Sequence, residues 1–119
     1  MSNSKIWIDD DGIIRCVLMG FHEKKDAEVV IEKVNKLSKE RRKARVLIDL
    51  NNTEESTSGA RRVYIDTIKA EPEIIEKLAF LGSSAKNRVM ANFIITGSGR
   101  ENEARYFESE EEALEWLKE

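Results

Sequence analysis

Short β-branched runs, separated by longer stretches with an apolar residue at every third or fourth position, set the rhythm of this chain. Lys5-Ile6-Trp7-Ile8 runs into Asp9-Asp10-Asp11-Gly12, after which Ile13-Ile14-Arg15-Cys16-Val17-Leu18-Met19 resumes the apolar pattern. Glycine tolerates positive φ and aspartate tolerates the left-handed region, so Asp11-Gly12 suits a tight reversal and the two runs predict a hairpin. Beyond Gly20 and Phe21, the residues Ala27, Val30, Ile31, Val34 and Leu37 are spaced by threes and fours. They predict a helix covering one face of a sheet, with Lys24, Lys25, Glu28, Glu32, Lys33, Lys36 and Glu40 on its remaining surface. Arg45-Val46-Leu47-Ile48-Asp49-Leu50 then contains neither Gly nor Pro, and its consecutive apolar residues predict a central parallel strand buried on both faces.

The polar residues from Asn51 to Ser58 predict a loop, and Ala60, Val63, Tyr64, Thr67 and Ile68 a second helix from Gly59 to Ala70. Pro72 marks its boundary, because proline disfavours helical geometry at the residue before it. Ile74, Ile75, Leu78, Ala79, Phe80 and Leu81 predict the next strand, interrupted by Glu76-Lys77 and ending at Gly82. From Ser84, the positions of Ala85, Val89, Met90, Phe93 and Ile94 predict a third helix, with Gly97 and Gly99 punctuating its end. Glu103 to Glu108 is a candidate for a short strand. Ser109 followed three residues later by Glu112 has the spacing of a capping box, and Glu110 and Glu111 suit the positive end of the helix that Ala113, Leu114, Trp116 and Leu117 continue. The order is β-β-α-β-α-β-α-β-α. It predicts an α/β fold with a mixed, mostly parallel sheet of about five strands covered by about four helices.

Composition narrows the class. A chain of 119 residues without a low-complexity linker or repeat suits a single domain over 1–119. One Cys cannot form a disulfide within the chain, and the start lacks the pattern of a secretory leader, so a reduced, cytoplasmic setting is expected. Uninterrupted apolar runs reach four residues, far short of the roughly 18 that a membrane-spanning helix needs. A net charge of -3 does not suggest a nucleic-acid binder. It conceals two poles, however: Lys39 to Arg45 carries five basic residues against one acidic, and Glu101 to Glu119 holds eight Glu against Arg105 and Lys118. Without interleaved aromatics for base stacking, the basic run is expected to be the solvated end of a helix.

The element order resembles the STAS fold of sulfate transporters and anti-sigma factor antagonists, and more narrowly its SpoIIAA-like (STAS/SEC14-like) members. The resemblance is carried by Ala44-Arg45-Val46-Leu47-Ile48-Asp49-Leu50, by Lys77-Leu78-Ala79-Phe80-Leu81-Gly82, and by Ala104-Arg105-Tyr106-Phe107-Glu108 with Glu111-Glu112-Ala113-Leu114-Glu115-Trp116-Leu117. It implies a non-enzymatic regulatory or protein-interaction module. In anti-sigma factor antagonists an Asp-Ser-Ser/Thr-Gly stretch opens the helix after the central strand, and its first hydroxyl accepts a phosphate. Ser56-Thr57-Ser58-Gly59 is the similar stretch here, with Ser56 in place of the Asp. The resemblance thus implies a phosphoacceptor or partner site at Thr57 and Ser58, while capping alone also accounts for hydroxyls at a helix start. SEC14-like relatives hold a lipid in an apolar pocket. The dense block around Met90, Phe93 and Ile94 therefore implies, as the alternative, a carrier or sensor of a small apolar ligand between sheet and helix, or a surface for a partner or a homodimer.

Other chemistry finds little support in the pattern. His22 has no Cys nearby, and Asp9-Asp10-Asp11 lacks the spacing of a calcium loop, so no metal is expected. Asp49 at a strand end is an acid/base candidate without a paired carboxylate or nucleophile. Cys16 is expected to be an inert core thiol. Gly97-Ser98-Gly99 lacks the residues that accompany phosphate-binding loops, and no cofactor is expected.

Overall fold

The computed structural model describes residues 4–39, 43–70 and 75–119; part of the basic run (40–42), Pro72 and Ile74 lie outside them. Strands β1 (Lys5–Ile8) and β2 (Ile14–Val17) form the expected antiparallel hairpin. Its reversal is organised by Asp9, whose Oδ1 accepts from the N–H groups of Asp11 and Ile13 at 2.9 and 3.0 Å. Gly12 supplies the positive φ of 81° that the turn requires.

The next strand, β3 (Gly20–His22), precedes helix α1 (Lys24–Ser38), which buries Ala27, Val30, Val34 and Ser38. Then come β4 (Ala44–Asp49), β5 (Thr53–Ser56), α2 (Ser58–Ala70), β6 (Ile75–Leu81), α3 (Ala85–Ser98), β7 (Ala104–Phe107) and α4 (Glu110–Lys118). Five strands make the main sheet in the order β1-β2-β4-β6-β7, with β4 at its centre. Every pairing except β1 with β2 is parallel, so the sheet is mixed and mostly parallel as the pattern predicts.

Two features depart from the expected order. The stretch read as a loop from Asn51 contains β5, which pairs in parallel with β3 to form a separate two-stranded sheet. Three- and four-residue strands with polar sequences carry no period that a pattern can detect. The break at Glu76-Lys77 has a local cause as well. Ala44 pairs with Ile75 but Arg45 with Lys77, leaving Glu76 as the extra residue of a bulge. Its carboxylate meets Arg45 Nη2 at 2.7 Å.

Each crossover from β2 to β4, β6 and β7 moves one place in the same direction, and right-handed connections then put α1, α2 and α3 on one face. Val46, Ile48, Leu78 and Phe80 meet those helices there, in the main core. On the other face Ile13, Leu47, Ala79 and Leu81 pack against Ala113, Trp116 and Leu117 of α4. The central strand is therefore buried on both sides. The C-terminal carbonyls of α4 are held from the sheet: Arg45 Nη1 donates to Leu117 O, and Lys77 Nζ donates to Trp116 O at 2.9 Å. Cations at the negative end of a helix also favour its dipole.

Helix ends follow local chemistry. Ser84 and Ser109 cap α3 and α4 by accepting from the N–H groups of Asn87 and Glu112 at 3.1 and 3.3 Å. Gly99, at φ 72°, terminates α3. Gly97 lies within the last turn instead. A Cβ there would come 2.9 Å from Ile65 Cδ1, so its bareness lets α3 approach α2. No helix among the described residues is long and apolar enough to cross a membrane.

Candidate functional site

The start of α2 is fastened to the small sheet. Thr57 N–H donates to His22 O at 3.0 Å, and Thr57 Oγ1 accepts from Ala60 N–H at 3.2 Å, the geometry of an N-cap. Ser58, the first helical residue, is exposed. The two hydroxyls marked by the sequence are therefore adjacent in place but different in role.

One turn further on, Arg61 joins three elements. Its Nη1 donates to Ser56 O at 2.6 Å and to Ser56 Oγ at 3.1 Å, while its Cζ lies 5.8 Å from the centre of the Phe93 ring. Ser56 Oγ in turn donates to Met90 Sδ at 3.3 Å. The end of β5, the first turns of α2 and the outer side of α3 thus form one surface.

A hollow of about 480 Å³ opens on this surface, with Ser56, Arg61, Lys86, Val89, Met90 and Phe93 among its lining. A second, of about 530 Å³, shares Val89 and Phe93 and continues along the α2–α3 seam past Ile65 to Gly97. Val89 is 68% exposed and Phe93 54%, so two large apolar side chains one turn apart face outward. Met90 is 8% exposed and forms part of the floor. Ile94 is wholly buried in the main core and does not line the groove, which corrects its placement with Phe93. The reason is helical geometry. Successive residues turn by about 100°, so Val89 and Phe93 share one face while Met90 and Ile94 share the next. The hollow itself is likewise on the outer side of α3, not between α3 and the sheet.

Sequence reasoning missed a polar pair beneath this surface. His22, fully buried on β3, has Nε2 2.6 Å from the hydroxyl of Tyr64 on α2, and their rings stack at 5.8 Å. Burial pushes the His22 pKa down, opposed by the Asp26 carboxylate, and pushes the Tyr64 hydroxyl well up. His22 Nδ1 has no hydrogen-bond partner among the described residues. The contact joins residues 42 positions apart, so local pattern holds no sign of it.

The remaining candidates have structural uses. Cys16 is buried and its thiol is pushed up to about 12, which removes it as a nucleophile at neutral pH. Asp49 Oδ1 accepts from Asn51 N–H at 2.9 Å in a turn. Ser98, between the two glycines, is buried and donates to Ile95 O at 2.9 Å within α3. No group of three metal-ligating side chains occurs among the described residues.

Comparison places this architecture. A crystal structure of an uncharacterised DUF3478 protein with a SpoIIAA-like fold, from Shewanella loihica PV-4, is similar at a TM-score of 0.75, with 16% identity over 98% of this chain and 95% of that one. An anti-sigma factor antagonist from Mycobacterium paratuberculosis is similar at 0.71, with 14% identity over 100% and 96% of the two chains. A protein with unknown function from Arthrobacter sp. FB24 is 27% identical over 95% and 97%, yet superposes at only 0.34 and adds nothing to the fold assignment. No curated protein matches the sequence. The likeness at these identities is one of fold, and the fold is STAS/SpoIIAA-like, as the closing strand and helix implied. Residues 6–119 match the domain of unknown function DUF7793, and the chain belongs to that family.

Proposed function

We propose that this chain is a non-enzymatic regulatory module, folded as a single domain and working in the reducing cytoplasm, that docks a protein partner over the start of α2 and the outer side of α3. The observation that carries the reading is the exposure of Val89 and Phe93 beside a groove lined by Ser56 and Arg61, the residues that flank the Thr57–Ser58 turn along the chain. Exposed apolar side chains grouped in a concave seam mark interaction sites more often than scattered ones do. The anti-sigma factor antagonist of the same fold supports a role through partners, and the unpaired, buried Cys16 suits a reducing compartment. Ser58 is the more accessible of the two hydroxyls, and a phosphate there would add about -1.5 to -2 charge at the edge of the docking surface. A homodimer through the same exposed face of α3 is the competing use of this surface.

The test is photo-crosslinking in the cells that make the protein, with a photoreactive phenylalanine analogue at Phe93 and, as control, at Glu111 on the opposite face of the sheet. The expected result is one protein adduct specific to position 93 that disappears when Thr57→Glu or Ser58→Glu is added. Adducts that are equal at both positions, or indifferent to both substitutions, would remove the reading.

A second reading has its own observation. The hollow of about 480 Å³ falls within the range of small-molecule sites, roughly 300–1,000 Å³, and its floor is apolar. Native mass spectrometry of protein purified from its own cells separates the two. A lipid-sized adduct supports a carrier or sensor, and a phosphate on Ser58 or Thr57 supports the switch.

A further inference from the structure

We infer that the α2–α3 groove takes an acidic amphipathic helix from the partner, an inference that rests on the docking role above and names the chemistry of the occupant. The groove has the form of a helix site. Its two hollows meet at Val89 and Phe93, and together they follow α3 from Lys86 to Gly97, about three turns. Helices bind such seams by placing bulky apolar residues at i and i+3 or i+4 into the groove and leaving polar residues at its rims.

The rims are basic on a chain whose net charge is -3. Arg61 and Lys86 line one hollow and Arg62 the other, against Glu55 as the lining carboxylate. Arg61 is held by Ser56 and the Phe93 ring, and Lys86 Nζ donates to the backbone carbonyl of Glu54. Among the described residues, neither cation has a carboxylate within ion-pair distance. Arg62 meets Asp66 only at 3.9 Å, with both side chains about two-thirds exposed, a contact of little worth. These charges are therefore open to an acidic partner. They also weigh against a second copy, because a two-fold contact through this face would set the same arginines of both copies near one another.

The test uses the full chain and a displayed library of helical peptides about four turns long. Bulky apolar residues are fixed at i and i+4, and the flanking positions vary among Glu, Lys, Gln and Ala. Selection is expected to enrich Glu at the flanks. The selected peptides should bind about tenfold or more weakly to Phe93→Asp and to Arg62→Glu/Lys86→Glu. Lys-for-Glu peptides should regain binding to the doubly reversed variant, which shows that it is folded. Enrichment of Lys or Gln, or binding indifferent to Phe93→Asp, overturns the inference. So does a dimer in light scattering that Phe93→Asp dissolves, since a second copy would then be the occupant. A Phe93 crosslink to a partner segment without acidic flanks would end this inference while leaving the docking role intact.

Discussion

The Nε2 atom of His22 lies 2.6 Å from the hydroxyl of Tyr64, and both side chains are buried between the small sheet and α2. This contact ties the strand that accepts the Thr57 N–H to the helix that Thr57 caps. Packing at the docking surface and stability of the core therefore share one polar joint.

Removing one member of the pair is expected to cost more than removing both. Tyr64→Phe leaves the His22 ring without its partner in a dry site, a loss of about 1–3 kcal/mol by urea unfolding. His22→Phe/Tyr64→Phe replaces both polar groups with apolar ones of similar shape. Its loss should be smaller than the sum of the single losses, and additivity of the two would show that the contact contributes nothing.

Acid should find the same site. Burial lowers the native His22 pKa below the usual 6.5, so as pH falls through that value the unfolded chain binds a proton before the folded one does. Stability from this group is complete above 6.5 and is lost progressively down to the lowered native value. One proton limits the slope to about 1.4 kcal/mol per pH unit. Between about pH 7 and pH 5, the wild-type chain should lose more stability than His22→Phe/Tyr64→Phe. Parallel curves would contradict the assignment.

Neighbouring positions on α3 should behave as opposites. Phe93→Asp is expected to change folding stability by no more than about 0.5 kcal/mol, because the side chain is 54% exposed. Ile94→Ala opens a cavity in the main core and should cost about 2–5 kcal/mol. Thermal and urea unfolding of the two variants settle the point, and only Phe93→Asp should weaken binding of the selected peptides while leaving the fold whole.

At the start of α2, Thr57→Ala should lose about 1 kcal/mol, the worth of an N-cap, whereas Ser58→Ala should be close to neutral. Equal effects would mean that Thr57 is not the cap that its 3.2 Å contact with Ala60 N–H describes.

Cys16 should resist a thiol reagent in the folded chain near pH 8, because burial pushes its thiol up to about 12. Alkylation followed by intact mass should track unfolding across a urea series. Rapid labelling of the native chain would contradict its placement between β1 and β4.

Much of the fold was legible because its signals are local. The apolar run Val46-Leu47-Ile48 marked a strand covered on both faces, and it is the centre of the sheet. Ser109 and Glu112 marked the start of α4, and Gly99 the end of α3. The main sheet's connections followed from the alternation of elements and from the fixed hand of parallel crossovers. The β3–β5 pair was not legible, since its residues satisfy backbone donors that the pattern does not register.

The candidate site divides in the same way. By itself the sequence determined that hydroxyls stand at the start of α2 and that α3 carries more apolar residues than one stripe needs. Periodicity counts apolar positions; it does not say which neighbours arrive to cover them. Only the tertiary structure decided that Ile94 points into the core and Phe93 outward, that Arg61 reaches across to Phe93, and that His22 meets Tyr64. Those relations depend on how α2 and α3 approach, which Gly97 permits against Ile65, and contacts between distant segments leave no trace in a local pattern.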